Sequence, residues 1–239
     1  MSTDPTWMAP LSPNLERACA RAHAIAAERG ARASGTDLLA ALIDDPDAAA
    51  VMDACALDRD ALRAALAAQA GETRGAVPSI GFLPILHRAS VYQQMAHRAD
   101  AIDGAHALVM MLTSNTPALA ETLRRHGLTR FDALRFIAHG LRKGEQPREE
   151  DTTATATTLA VKLLNDHYTP MEFVVATLER VFDQDRDMAV RTMLSVHHHG
   201  AATCGTYPAA IAREKRAAVA ELARAKEHPL CCVLAPAWT

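Results

Sequence analysis

The densest run of chemistry-bearing side chains in this sequence is Asn165-Asp166-His167-Tyr168-Thr169. It follows an apolar stretch, Leu159 to Leu164, and precedes Pro170 and a second apolar stretch from Met171 to Phe182. Asn and Asp hydrogen-bond their own backbone in turns, so the simplest reading is an Asx-type turn that also caps a helix. The functional reading is a polar rim over an apolar hole, a geometry that grips one end of a peptide. Met171, Met193 and Val196 sit at helical spacing. They read equally as core and as the wall of an adaptable binding surface, where Met is favoured. His197-His198-His199 invites a metal reading. Successive helical residues are about 100° apart, so three in a row cannot face one ion, and at most one faces a pocket. Arg148-Glu149-Glu150-Asp151 is a charge run, the mark of a solvated linker.

Catalytic signatures are missing. There is no G-x-x-x-x-G-K-[ST], G-x-S-x-G, H-E-x-x-H or G-x-G-x-x-G, which argues against nucleotide hydrolysis and the common hydrolase classes. The five cysteines (Cys19, Cys55, Cys204, Cys231, Cys232) are odd in number and lack C-x-x-C spacing. They read as reduced, buried thiols of a cytoplasmic protein. Adjacent Cys231 and Cys232 would point to opposite faces of a strand, so a vicinal disulfide is not expected. A hydrolase built on Cys204 or Cys232 with a histidine is the rival from the enzyme class. In or beside strands these cysteines are more simply small hydrophobes. The expectation is a non-enzyme without metal or cofactor.

Composition agrees with a binding protein. The chain has 239 residues, a net charge of −3, 50 alanines and only 4% aromatics. Alanine favours helices packed through small side chains. The hydrophobic fraction of 49% supplies a core. Residues 1–150 carry 16 basic and 18 acidic side chains and residues 151–239 carry 9 and 10, so charge draws neither part to nucleic acid. No apolar run reaches the roughly 20 residues of a membrane span, and Met1 to Pro10 lacks the marks of a signal peptide.

Two kinds of element must position these side chains. The first 140 residues read as helices: Leu11, Leu15, Ala18, Ala22 and Ile25 form one amphipathic stripe. Gly30 is a stop, Gly35-Thr36-Asp37 a start before Leu38, Leu39 and Leu42, and Asp58 a cap before Leu62 and Leu66. Gly71 to Ser79 reads as a linker. The pattern then begins again. Leu11, Pro13, Leu15, Arg17 and Ala18 match Phe82, Pro84, Leu86, Arg88 and Ala89, and Gly35 and Leu39 match Gly104 and Leu108. Leu57-Asp58-Arg59 matches Leu128-Thr129-Arg130, each followed by Asp-Ala-Leu-Arg. A period of about 71 residues marks a duplicated four-helix unit, eight helices in one domain. Residues 140–157 turn charged and then rich in Thr and Ala, a flexible linker.

The remainder has another texture. Leu159, Val161 and Leu163 alternate with Ala160, Lys162 and Leu164 as a short strand. Helices are expected over Met171–Phe182 and Asp185–His199, a strand or loop over Gly200–Tyr207, a third helix from Pro208 and a strand over Leu230–Leu234. The order β-α-α-β-α-β implies a small α+β layer with helices on one face of the sheet. The expected organisation is multidomain: an all-α domain over 8–142 (repeats 11–70 and 82–140), a linker over 143–157 and an α+β domain over 158–239.

At these residues a resemblance becomes specific. LLNDHYTPMEFVVATLERVF (163–182), MLSVHHHGAATCG (193–205) and EHPLCCVL (227–234) resemble ClpS, the adaptor that delivers N-degron substrates to a Clp AAA+ protease, over about 158–235. The duplicated part, about 8–142, is similar to the N-terminal domain of ClpA-type unfoldases, its second repeat more closely. The resemblance implies a bacterial fusion of a docking domain with the adaptor that docks on it. It implies that Asn165, Asp166, His167 and His197 surround the substrate's α-amino group. It implies a pocket for Leu, Phe, Tyr or Trp built by Thr169, Met171, Val174, Met193, Val196 and Leu230. Lys215 fits the pattern of the helix that contacts the unfoldase.

Two positions depart from the family. An acid usual after Asn-Asp is His167 here, and an acidic docking position is Ala210. An imidazole offers the ammonium at most a neutral acceptor, and histidine protonation falls within the physiological range. The expectation is weaker N-degron binding, lost on acidification. The linker occupies the place of the free N-terminal extension of ordinary ClpS. The leading reading is a non-enzymatic adaptor or regulator of a Clp protease in protein catabolism. Its partners are N-degron substrates and a ClpA-type N-domain. The alternative is a self-docked chain, intramolecular or as a swapped dimer, that competes with ClpS–ClpA docking. A linker of roughly 18 residues spans about 20–25 Å and gives an effective concentration near the millimolar range.

Overall fold

The computed structural model describes residues 9–72, 81–95, 101–113, 115–149 and 156–237. Most of the expected first linker, Glu150, Asp151 and most of Met1–Pro10 lie outside them. The chain divides into two compact units, Met1–Ala133 and Leu134–Thr239.

Among the described residues eight helices precede the first strand: α1 Pro13–Glu28, α2 Gly35–Leu42, α3 Pro46–Ala54, α4 Arg59–Glu72, α5 Leu83–Met95, α6 Gly104–Met111, α7 Pro117–Arg125 and α8 Arg130–His139. Local chemistry sets their ends. Ser12 caps α1, and Gly30 follows that helix at φ +63°. Ser34 and Asp37 form a reciprocal capping box on α2, so Ser34 is the cap and Gly35 the first helical residue. Asp58 accepts from the Asp60 and Ala61 amides at the start of α4. Thr129 does the same for Asp132 at the matching start of α8. Pro46 and Pro117 open α3 and α7, the next matching pair.

The two repeats meet through small residues. Ser12 and Ile102 join backbones in a short parallel bridge before α1 and α6. Leu38, Leu39, Leu108 and Met111 are fully buried, each contributing about 1.5–3 kcal/mol by leaving water. A Cβ on Gly104 would fall 1.9 Å from Asp45 Oδ1, and one on Gly35 would fall 2.8 Å from Leu119 Cδ1. The glycines matched in sequence are thus both points of close approach between segments.

The second unit begins inside α8, at Leu134. It continues through β1 Thr158–Leu164, α9 Met171–Phe182, α10 Arg186–His199, β2 Ala201–Pro208, α11 Ala209–Ala225 and β3 Cys231–Pro236. The order is the expected β-α-α-β-α-β. The strands form one antiparallel sheet in the order β2-β1-β3. Leu159, Val161 and Leu163 are fully buried and Lys162 and Leu164 only half-buried, but Ala160 is buried too, so the alternation of a one-sided sheet holds over 161–164 and not before. Pro208 ends β2 and caps α11 rather than opening it. Asp185 caps α10, and Gly200 ends that helix at φ +81°.

Segment 140–149 is engaged with the second unit. Arg135 donates to the Glu145 carbonyl at 2.9 Å, the Arg142 amide donates to the Glu145 carboxylate at 2.8 Å, and Glu149 pairs with Arg216 of α11.

Candidate functional site

Register gathers the expected site residues. Leu164, the last residue of β1, pairs with Ala201 on one side and Cys231 on the other. Asn165, Gly200 and Leu230 flank those three residues, so they lie at the same end of the sheet. The Asn165 amide donates to the Gly200 carbonyl at 2.8 Å, which ties the turn to the end of α10, one turn beyond His197. Phe173 of α9 meets His228 edge-on at 4.6 Å, which holds the segment before β3 against the start of α9.

Of the residues expected to line the apolar pocket, Val174, Met193, Val196 and Leu230 are buried, and Met171 is 45% exposed. Thr169 is half-buried. The expected polar groups differ in exposure. Asn165 is half-buried, and His167 and His197 are exposed. The His197 and His198 rings meet edge-on at 5.4 Å. Among the described residues no group of three or more His, Cys, Asp or Glu could hold a metal ion.

Asp166 is occupied inside the turn. Its Oδ1 accepts from the Tyr168 amide at 2.8 Å and the Thr169 amide at 2.6 Å. Its Oδ2 accepts from the Thr169 hydroxyl at 2.9 Å. These bonds satisfy backbone donors just before α9, whose first cap residue is Pro170 and supplies no side-chain acceptor. Loss of such a cap costs about 0.5–2 kcal/mol. Asp166→Ala is therefore expected to destabilise the second unit by about 1–2 kcal/mol in urea denaturation; an unchanged midpoint would contradict this task for the carboxylate.

Lys215, the expected docking residue, is held within its own unit. Its ammonium donates to the Val181 carbonyl at 2.6 Å, stands 3.4 Å from Asp183 and lies 4.9 Å from the Tyr207 ring centre.

The cysteines are poor nucleophiles. Burial pushes Cys204 up to about 12 and Cys231 up to about 11, and holds Cys232 well above the ordinary thiol value. The thiolate is the reactive form, so these side chains behave as small hydrophobes.

One residue that the sequence did not single out stands behind the site. His139, in the last turn of α8, approaches the Pro229 carbonyl at 3.1 Å through Nε2. Burial holds its pKa below the ordinary histidine value, outweighing the Asp166 carboxylate and the Pro229 bond, which pull upward; Arg135 adds to the lowering. The unfolded chain therefore binds the extra proton first. The contribution of neutral His139 to stability is whole above about pH 6.5 and is lost as pH falls through its lowered folded value. Between about pH 7 and about pH 5 the wild-type chain is expected to lose more stability than His139→Gln. Equal losses would contradict the assignment.

Comparison with known proteins decides the family. The family model described as ATP-dependent Clp protease adaptor protein ClpS matches residues 154–233. An adapter protein ClpS of Phenylobacterium zucineum is 43% identical over 95 residues, 40% of this chain and 87% of that protein. The chain belongs to the ClpS family. A ClpS of Hyphomonas neptunium is 55% identical over 74 residues, 31% of this chain; the match spans 63% of that relative's length. A solved structure of Agrobacterium tumefaciens ClpS2, bound to L-phenylalaninamide, is 33% identical, with 33% of this chain and 94% of that chain covered and a TM-score of 0.32. The ClpS match runs from before β1 into β3, so the turn at Asn165 and the residues Val174, Met193, Val196 and Leu230 lie inside it.

No helix of the described residues is long and apolar enough to cross a membrane.

Proposed function

We propose that this chain is an adaptor of a Clp AAA+ protease that binds a bulky hydrophobic first residue of N-degron substrates. The observation that carries the reading is the shared sheet end. Register brings Asn165 and Leu230 to that end, and Val174, Met193, Val196 and Leu230 are buried, which this reading gathers into a polar rim over an apolar floor. A buried large side chain contributes about 1.5–3 kcal/mol, and the α-ammonium beside it needs acceptors or it is left costly and unpaired. Asn165 Oδ1 and His197 are the acceptors in this reading. His167 flanks the entrance, and Asp166 builds the turn. No catalytic step is involved. The helical part over 8–142, in this reading, is a ClpA-type N-domain, joined through 143–157 to the adaptor.

The test is binding of the full-length chain to peptides that begin with Phe, Leu or Met, each with a free and an acetylated amine. Selective binding of Phe and Leu that disappears on acetylation is expected. Binding indifferent to acetylation would overturn the reading.

A further inference from the structure

The last turn of α8 reaches the residue that precedes Leu230. A carbonyl oxygen only accepts, so the 3.1 Å approach of His139 Nε2 to Pro229 makes the imidazole N–H the donor. Pro229 immediately precedes Leu230, a buried wall of the floor. Proline has no N–H, so the Pro229 carbonyl is the one backbone polar group through which this residue is held. Arg135, one turn earlier, donates to the Glu145 carbonyl at 2.9 Å and so fixes the segment that follows α8. Beside His139 lies a cavity of about 470 Å³, bounded also by Leu141, Pro147, Leu164 and Val233. His139 itself borders that space, so its ring is held on the Pro229 side by this bond and not by close packing all round.

We propose that His139 is a positioning residue for the hydrophobic pocket: it holds the Pro229–Leu230 corner and so sets the fit of the substrate's first side chain. The inference rests on the proposed N-degron reading and adds to it a residue on the helix that precedes the ClpS match. His139 touches no substrate; it acts through Leu230. Its effect is on the apolar wall and not on the grip of the α-amino group by Asn165. These two parts separate experimentally.

The experiment uses the full-length chain and three peptides: one beginning with Phe, the same peptide beginning with Ala, and the Phe peptide acetylated. His139→Leu and His139→Met keep bulk and lose the donor; His139→Gln keeps a donor of similar reach. In the Leu and Met variants the preference for Phe over Ala is expected to fall about five- to tenfold, the cost of one hydrogen bond, while the penalty for acetylation stays at its wild-type value. His139→Gln is expected to restore most of the preference. A merely structural role would lower both ratios together. If one donor-less variant fails to fold, the other is read alone. An unchanged Phe-over-Ala preference, or equal loss in His139→Gln, overturns this inference and leaves the N-degron reading standing. A wild-type chain that binds no peptide through its free amine removes both.

Discussion

Asn165→Ala is expected to lower the affinity of the full-length chain for a Phe-initiated peptide by about ten- to a hundredfold. Asn165 directly follows the last residue of β1, and Val174, Met193, Val196 and Leu230 are buried. In the N-degron reading it accepts a hydrogen bond from the substrate's α-ammonium. A hydrogen bond to a charged group is worth about 1.5–3 kcal/mol, and each 1.4 kcal/mol is about tenfold in Kd. The Asn165 backbone amide still reaches Gly200 after the substitution, since that bond uses the main chain, so the turn keeps its tie to α10. The measurement is calorimetric titration, with the acetylated peptide as the second axis of a cycle. Acetylation should cost the variant much less than the wild type. Equal acetylation costs in both would show that Asn165 does not meet the amine. His167→Asp tests the same rim from the other side. It places an opposite charge at an exposed position, where pairing is worth roughly 0–1 kcal/mol, so affinity is expected to rise about two- to fivefold. A fall would place His167 in a favourable contact with the peptide.

Gly104→Ala is expected to destabilise the helical unit by about 2–4 kcal/mol, while Gly35→Ala costs less than about 1.5 kcal/mol. Sequence alone treats the two glycines as equivalents in the duplication. Their surroundings differ. The added Cβ at Gly104 would lie 1.9 Å from Asp45 Oδ1. Asp45 is short, 4% exposed and committed: that oxygen accepts from the Asp47 and Ala48 amides at the start of α3. It cannot withdraw without losing the cap, about 0.5–2 kcal/mol, and overpacking adds about 1–3 kcal/mol. At Gly35 the nearest atoms are the methyl ends of Leu119 and Ile85, at 2.8 and 3.2 Å. Those ends can rotate. Denaturant unfolding of both variants checks the difference. Similar losses would mean that Asp45 relaxes as freely as a leucine methyl.

The elements of the ClpS portion were largely legible because their signals are local. Pro170 and the apolar period after it bound α9 at Met171–Phe182, and Asp185 and Gly200 bracket α10. Alternation marks β1, and the repeat period places the helix starts at Gly35 and Gly104. The expected site residues were named through one motif set, and register adds what the motifs do not hold: Asn165, Gly200 and Leu230, far apart in sequence, flank a single three-strand row.

What stayed hidden was the employment of individual atoms. That the Asp166 carboxylate turns back onto Tyr168 and Thr169, that Lys215 caps the Val181 carbonyl, and that Asp45 lies against Gly104 all depend on which groups face each other after packing. The same holds for the unit boundary. Sequence texture places it in the charged segment after residue 142, whereas the compact second unit begins at Leu134. Periodicity and turn chemistry are properties of neighbouring residues, and they determined the helices, strands and polar turn of this protein. The contact of His139 with Pro229 joins residues 90 positions apart. No local pattern encodes such a pair, because the distance between its atoms is set by the packing of every element between them.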